Sequence, residues 1–154
     1  MELKQGDKAP DFSLLATTGQ TISLKNLAGK KVVLYFYPKD NTPGCTTQAC
    51  AFRDANNALE AAGATVLGVS ADRLKSHENF SGKHNLNFPL LSDPEKGAAN
   101  AYGAWGEKKN YGRTYMGMKR MTFLIDENGN IEKIWPAVKV KDHIDDVLRE
   151  VKGS

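Results

Sequence analysis

Apolar residues along this chain follow two rhythms. Val32-Val33-Leu34-Tyr35-Phe36-Tyr37 and Thr65-Val66-Leu67-Gly68-Val69-Ser70 are nearly unbroken β-branched and aromatic runs, the mark of strands covered on both faces. Between them the spacing changes. A loop over 38–44 opens a helix running to about residue 62, with Ala49, Phe52, Ala55 or Asn56, and Leu59 on one face and Arg53, Asp54 and Glu60 off it. Gly63 is placed to end it. The pattern predicts a second helix over Leu74 to His84, a strand stub over 89–91 and a short helix over 95–102. Residues 121–125 and 131–135 flank Asp126-Glu127-Asn128-Gly129-Asn130, where Asn-Gly signals a hairpin. A last helix covers 143–152, while 7–20 is an extended, turn-rich entry before a short strand at 21–24. Strands alternating with helices, then a hairpin and a closing helix, describe an α/β chain with a mixed central β-sheet flanked by helices. Strand order stays open at this stage.

Composition narrows the function classes. A chain of 154 residues fits one domain over 1–154. Lys and Arg number 21 against 18 Asp and Glu, a net +3 without a concentrated basic face, so nucleic acid is not an expected partner. The longest strongly apolar run, 32–37, is far too short to cross a bilayer. The N-terminal residues Met1-Glu2-Leu3-Lys4-Gln5-Gly6-Asp7 lack the pattern of a secretory signal. The expectation is a soluble, cytoplasmic protein without a membrane partner. Two cysteines in such a chain point to catalysis rather than to a structural staple.

Both cysteines sit in Pro38-Lys39-Asp40-Asn41-Thr42-Pro43-Gly44-Cys45-Thr46-Thr47-Gln48-Ala49-Cys50. The thiolate is the nucleophile, and an ordinary thiol of pKa about 8.5 is mostly protonated at neutral pH. Unpaired N–H groups and the positive end of the dipole favour a thiolate in the first turn of a helix, and a nearby arginine would add to this. The flanking Thr42-Pro43-Gly44 argues against Cys45 as a mere small apolar filler. Cys50 is five positions on, so in an intact helix the two Cα atoms lie about 8.7 Å apart, beyond the ~7 Å limit of a disulfide. Joining them requires the first turns to unwind, and a second thiol this close is a candidate resolving group. The Thr42 hydroxyl is placed to cap the helix or to bond a substrate oxygen.

Pro38, Thr42 and Cys45 spell P-x-x-x-T-x-x-C within Tyr37-Pro38-Lys39-Asp40-Asn41-Thr42-Pro43-Gly44-Cys45-Thr46. This string resembles the peroxiredoxins, specifically the bacterioferritin comigratory protein or peroxiredoxin Q subfamily. The likeness extends to Gly6-Asp7-Lys8-Ala9-Pro10-Asp11-Phe12, Gly68-Val69-Ser70-Ala71-Asp72, Leu91-Ser92-Asp93, Tyr102-Gly103-Ala104-Trp105-Gly106-Glu107-Lys108-Lys109 and Thr122-Phe123-Leu124-Ile125-Asp126. It implies a thioredoxin-like fold with an N-terminal extension, and a monomeric peroxidase acting on hydrogen peroxide and organic hydroperoxides. On that resemblance Cys45 is the peroxidatic and Cys50 the resolving cysteine, joined as an intrachain disulfide and recycled by thioredoxin or a similar dithiol. Thr42, Pro38 and Arg120 complete the implied site, and no cofactor or metal is called for. Gln48 stands where relatives often carry Glu, and Met121 where many carry a small hydroxyl residue.

Two other readings have sequence tests. A thiol–disulfide oxidoreductase usually carries C-x-x-C, and the four-residue gap here argues against it. Cys45 and Cys50 with His77 and His84 make four nominal zinc ligands, yet their spacings fit no compact finger and both histidines suit an exposed helix face. Lys108, Lys109 and Arg113 suggest a solvated loop, Arg53 a structural role, and Tyr102, Trp105 and Trp135 core packing.

Overall fold

The computed structural model describes residues 2–153. Met1 and Ser154, the first and last residues of the single domain expected from sequence, lie outside them. The chain opens with a small antiparallel hairpin, β1 (Ser13–Leu15) and β2 (Thr21–Ser23), followed by a single 3-10 turn at Leu24–Leu27. Then come β3 (Lys31–Phe36), α1 (Pro43–Ala61), β4 (Ala64–Ser70), α2 (Leu74–His84), β5 (Leu90–Ser92) and α3 (Gly97–Ala101). A second hairpin, β6 (Trp105–Asn110) and β7 (Arg113–Met118), precedes β8 (Met121–Ile125), β9 (Ile131–Trp135) and α4 (His143–Gly153).

Five strands form the central sheet in the order β5-β4-β3-β8-β9. β3 runs parallel to β4 and antiparallel to β8, so the sheet is mixed and its middle strand leads directly into the cysteine loop. All six residues of β3 are buried. The pleat sends Val32, Leu34 and Phe36 into a core with Leu67, Val69, Phe123 and α3, and Val33, Tyr35 and Tyr37 into a core with α1, α2 and α4. This two-sided burial explains the unbroken apolar run.

The buried residues of α1 are Cys45, Gln48, Ala49, Phe52, Asn56 and Leu59. That helical stripe selects Asn56 over Ala55 for the inner face, because the Asn56 amide donates to the Asn87 carbonyl at 3.0 Å. The helix ends at Gly63, whose φ of +89° a side-chain-bearing residue would resist. In β4, Gly68 lies between Tyr35 on β3 and Leu90 on β5. A Cβ there would lie 2.9 Å from both Leu90 Cδ2 and the Tyr35 ring. Gly68→Ala is therefore expected to lower folding stability by about 1–3 kcal/mol, read as a shift in the urea midpoint.

Two sequence expectations change. Lys108, Lys109 and Arg113 do not lie in a loop; they lie on the β6–β7 ribbon, which pairs from Trp105↔Met118 to Asn110↔Arg113. His77 does not face solvent: it is 0% exposed, while Phe80, three residues on, shares its buried face.

Candidate active site

The parallel and antiparallel neighbours of β3 bring two distant segments to one end of the sheet. One is the loop leaving β3, the other the residue entering β8. Pro38 lies half-buried in the bend after β3, and Thr42 takes the N-cap position of α1. Pro43 occupies the first helical position, where its missing N–H costs nothing. The helical ladder begins with the Thr46 N–H to the Thr42 carbonyl at 2.8 Å. The Cys45 N–H precedes it and is one of the donors a helix start leaves over.

Arg120 arrives from the other segment, its backbone carbonyl held by the Val138 N–H at 3.1 Å. Its Nη2 donates to Cys45 Sγ at 3.2 Å, and its Nη1 donates to Gln48 Oε1 at 2.6 Å. Gln48 stands one helical turn beyond Cys45 and is 0% exposed, so it sets the guanidinium plane. The approach depends on Gly44, where a Cβ would come within 3.3 Å of Arg120 Nη2. A thiol at a helix start, under a guanidinium fixed by a buried amide, is arranged for nucleophilic chemistry.

Residues 5–134 match the AhpC/TSA family. This chain belongs to that family. Peroxiredoxin Bcp of Bacillus subtilis is 49% identical over 152 residues, covering 99% of this chain and 97% of that protein. Peroxiredoxin Q of Xylella fastidiosa superposes with a TM-score of 0.93 at 36% identity, covering 99% of this chain and 98% of that one. The bacterioferritin comigratory protein of Xanthomonas campestris, studied for its alkyl peroxide reduction activity, superposes with a TM-score of 0.88 at 41% identity, covering 92% and 90%. The chain is thus a peroxiredoxin, a thiol-dependent peroxidase with the thioredoxin-like fold of its structural neighbours.

In this peroxiredoxin Cys45 and Cys50 are both free thiols, Cys45 buried and Cys50 half-buried. Cys45 is 1% exposed and packs as an apolar residue beside Tyr35 and Tyr37 while also taking the arginine's hydrogen bond. Apolar burial and a charged hydrogen-bond donor thus meet at one side chain. Thr42 is at the cap position, but its hydroxyl makes no cap bond; it donates to the Lys39 carbonyl at 2.9 Å. The capping role expected for that side chain is therefore replaced. Its oxygen keeps lone pairs that can accept a proton donor.

Sequence reasoning missed two neighbours. The first is Lys108 on β6, whose ammonium donates to the Met118 carbonyl at 2.9 Å. Burial, then Arg120, push its pKa down while Cys45 pulls it up, so this lysine lies in the field of the site. The second is the set of bonds below the cysteine loop. Asp40 accepts from Tyr37 Oη at 2.6 Å and Ser76 Oγ at 2.7 Å, and meets His77 Nδ1 at 2.7 Å. Burial opposes its ionisation, yet the bonds from His77, Tyr37 and Ser76 hold the carboxyl below the usual range. Ligand atoms of Asp40, Asp72 and His77 lie within 4.8 Å of one another. Those atoms are engaged in hydrogen bonds with each other and with Ser70, Ser76 and Tyr37.

His143 packs edge-on against Phe52 and Trp135, with its Nε2 2.8 Å from Thr122 Oγ1. Burial lowers its pKa to about 4, against the pull of Asp146 and with a smaller push from Arg120. The unfolded chain takes up this proton first, near 6.5, so native stability falls as pH drops from there to about 4. Urea midpoints across that window are expected to decline, and His143→Asn to flatten the slope.

Proposed function

We propose that Cys45 is the peroxidatic nucleophile and Cys50 the resolving thiol of this peroxidase. The observation that carries the reading is the 3.2 Å hydrogen bond from Arg120 Nη2 to Cys45 Sγ, because a charged donor is shared most strongly with an ionised sulfur. The Cys45 thiolate attacks one peroxide oxygen; the S–O bond forms as the O–O bond breaks. The sulfur loses two electrons to the peroxide, and the departing alkoxide or hydroxide takes a proton to become an alcohol or water. Arg120 and the Cys45 N–H stabilise the charge spreading onto the oxygens. Thr42, whose hydroxyl hydrogen is committed to Lys39, offers its oxygen to the peroxide O–H and so orients it. Pro38 fixes the bend from which this loop departs.

The sulfenic acid then condenses with the Cys50 thiol, forming the S–S bond and releasing water. With both thiols on α1, this step requires the first turns of that helix to unwind. A dithiol of the thioredoxin kind returns two electrons and two protons by exchange. Hydrogen peroxide and organic hydroperoxides are the substrates; the alkyl peroxide reduction of the Xanthomonas campestris relative supports the second class. We assign the enzyme to the cytoplasm as a monomer. Among the described residues no helix is long and apolar enough to cross a membrane. Cys50→Ser tests the resolving role. The first oxidation of Cys45 should keep its rate, while thioredoxin-driven turnover should vanish and sulfinic acid accumulate under excess peroxide. Undiminished thioredoxin-driven turnover would refute it.

A further inference from the structure

Opening α1 far enough to join its two thiols raises the question of what stops the opening. Phe52, two residues past Cys50, is 0% exposed and stacks on Tyr35 with ring centroids 4.6 Å apart. Beside it, Arg53 Nη1 donates to the His84 carbonyl at 2.8 Å. The Asn87 amide donates back to the Arg53 carbonyl at 3.1 Å. Upstream of the segment, Asp40 is 4% exposed and gripped by Ser76 Oγ and His77 Nδ1, each at 2.7 Å. Ser76 and His77 begin α2, His84 ends it, and Asn87 follows. One helix therefore holds the chain on both sides of the cysteine segment.

Within that segment the side-chain bonds are of another kind. Thr47 Oγ1 bonds back to the Pro43 carbonyl at 3.0 Å, and Arg120 bonds to Cys45 and Gln48. The first is local to the helix, and oxidation of the sulfur changes the acceptor that the guanidinium meets. Oxidation thus alters the one tie of the segment that involves the sulfur, while none of the bonds on its flanks involves it.

We propose that Asp40 and Arg53 are positioning residues of the resolving step, clamping the chain to α2 so that unwinding is confined to the stretch between them. This rests on the Cys45–Cys50 disulfide reading above. The remainder of α1, from about residue 53 to 61, stays helical in the disulfide form. Rewinding after reduction then extends an existing helix, which avoids the nucleation factor of about 10⁻³ that a new one carries. Arg53, assigned only a structural role from sequence, holds the new helix start in this account.

Amide hydrogen exchange on the reduced and the peroxide-oxidised protein tests this, with intact mass reporting the disulfide. In the disulfide form amides 46–50 should exchange at least about tenfold faster than in the reduced form, while amides 57–61 keep their protection. Arg53→Met keeps the aliphatic stem and removes the donor. It should speed exchange of amides 57–60, the first with acceptors inside the remaining helix, about tenfold in the disulfide form alone and slow thioredoxin-driven turnover, with the rate of Cys45 oxidation unchanged. Arg53→Lys should restore protection. Asn87→Ala gives a second removal of the clamp, and Asp40→Asn should loosen amides 39–41 in the same form-selective way.

Protection lost through residue 61 in the oxidised parent protein would overturn the proposal. So would amides 57–60 that stay unchanged in both Arg53→Met and Asn87→Ala, or that change equally in the reduced and disulfide forms. If peroxide yields no Cys45–Cys50 disulfide, the resolving mechanism falls and the clamp with it. If the disulfide forms but the boundary lies elsewhere, the clamp alone falls.

Discussion

Cys45→Ser should abolish peroxidase turnover, a loss of at least about 10⁴-fold in kcat/KM, the scale seen when a nucleophile is deleted. Serine keeps the shape and the helix start but presents a hydroxyl that stays protonated near neutrality, even 3.2 Å from a guanidinium position. The fold should survive, because this residue contributes one small side chain to a core built around Tyr35, Tyr37 and Phe52. Steady-state peroxide consumption coupled to a dithiol reductant measures the effect, with circular dichroism as the control for folding. Residual activity within about 10²-fold of the parent would mean that another group carries the reaction.

Arg120→Met should slow the first oxidation by about 10²–10³-fold, the usual loss when one charged donor to a developing oxyanion is removed. Two contacts disappear together, those to Cys45 Sγ and Gln48 Oε1. Gln48 is fully buried, so its acceptor is left without this donor, and a stability loss of about 1–3 kcal/mol accompanies the kinetic one. Arg120→Lys should recover only part of the rate, since an ammonium cannot serve both acceptors from one planar fork. Stopped-flow fluorescence of the reduced variants separates this first step from resolution. A rate of Cys45 oxidation unchanged in Arg120→Met would remove the arginine from the mechanism.

Much of this architecture could be read before any coordinates. Helix α2 and strands β8 and β9 lie where the pattern put them, because their ends carry strong punctuation: Asn85 closes one helix in the left-handed region, and Gly129 turns the hairpin. The β6–β7 ribbon escaped notice for a physical reason. Strand β6 is mostly polar and β7 leaves Tyr115 and Met116 exposed side by side, so no period-two alternation marks either strand of the ribbon. Its turn uses Tyr111 and Gly112, at φ of 52° and 78°, where Asn-Gly would have announced it.

The site divides in the same way. Cys45, Thr42 and Pro38 belong to one short string and could be found together. Arg120 came through the resemblance, and the structure delivers it to Cys45 across 75 positions of sequence. The Asp40–His77 contact spans 37 positions, and nothing local tells a buried, paired histidine from one on a wet helix face. Gln48 left one usable trace: it follows Cys45 by three residues, the spacing that stacks side chains on one face of a helix.

The sulfur of residue 45 should be the first atom that peroxide oxidises. The most direct measurement treats reduced Cys50→Ser protein with stoichiometric hydrogen peroxide and locates the added oxygen by peptide mass mapping. One oxygen on Cys45, appearing before any change at the methionines and returned to the thiol by a small dithiol, is the result this mechanism predicts. An intact Cys45 thiol after the peroxide is consumed, or oxygen found first on another residue, would contradict it.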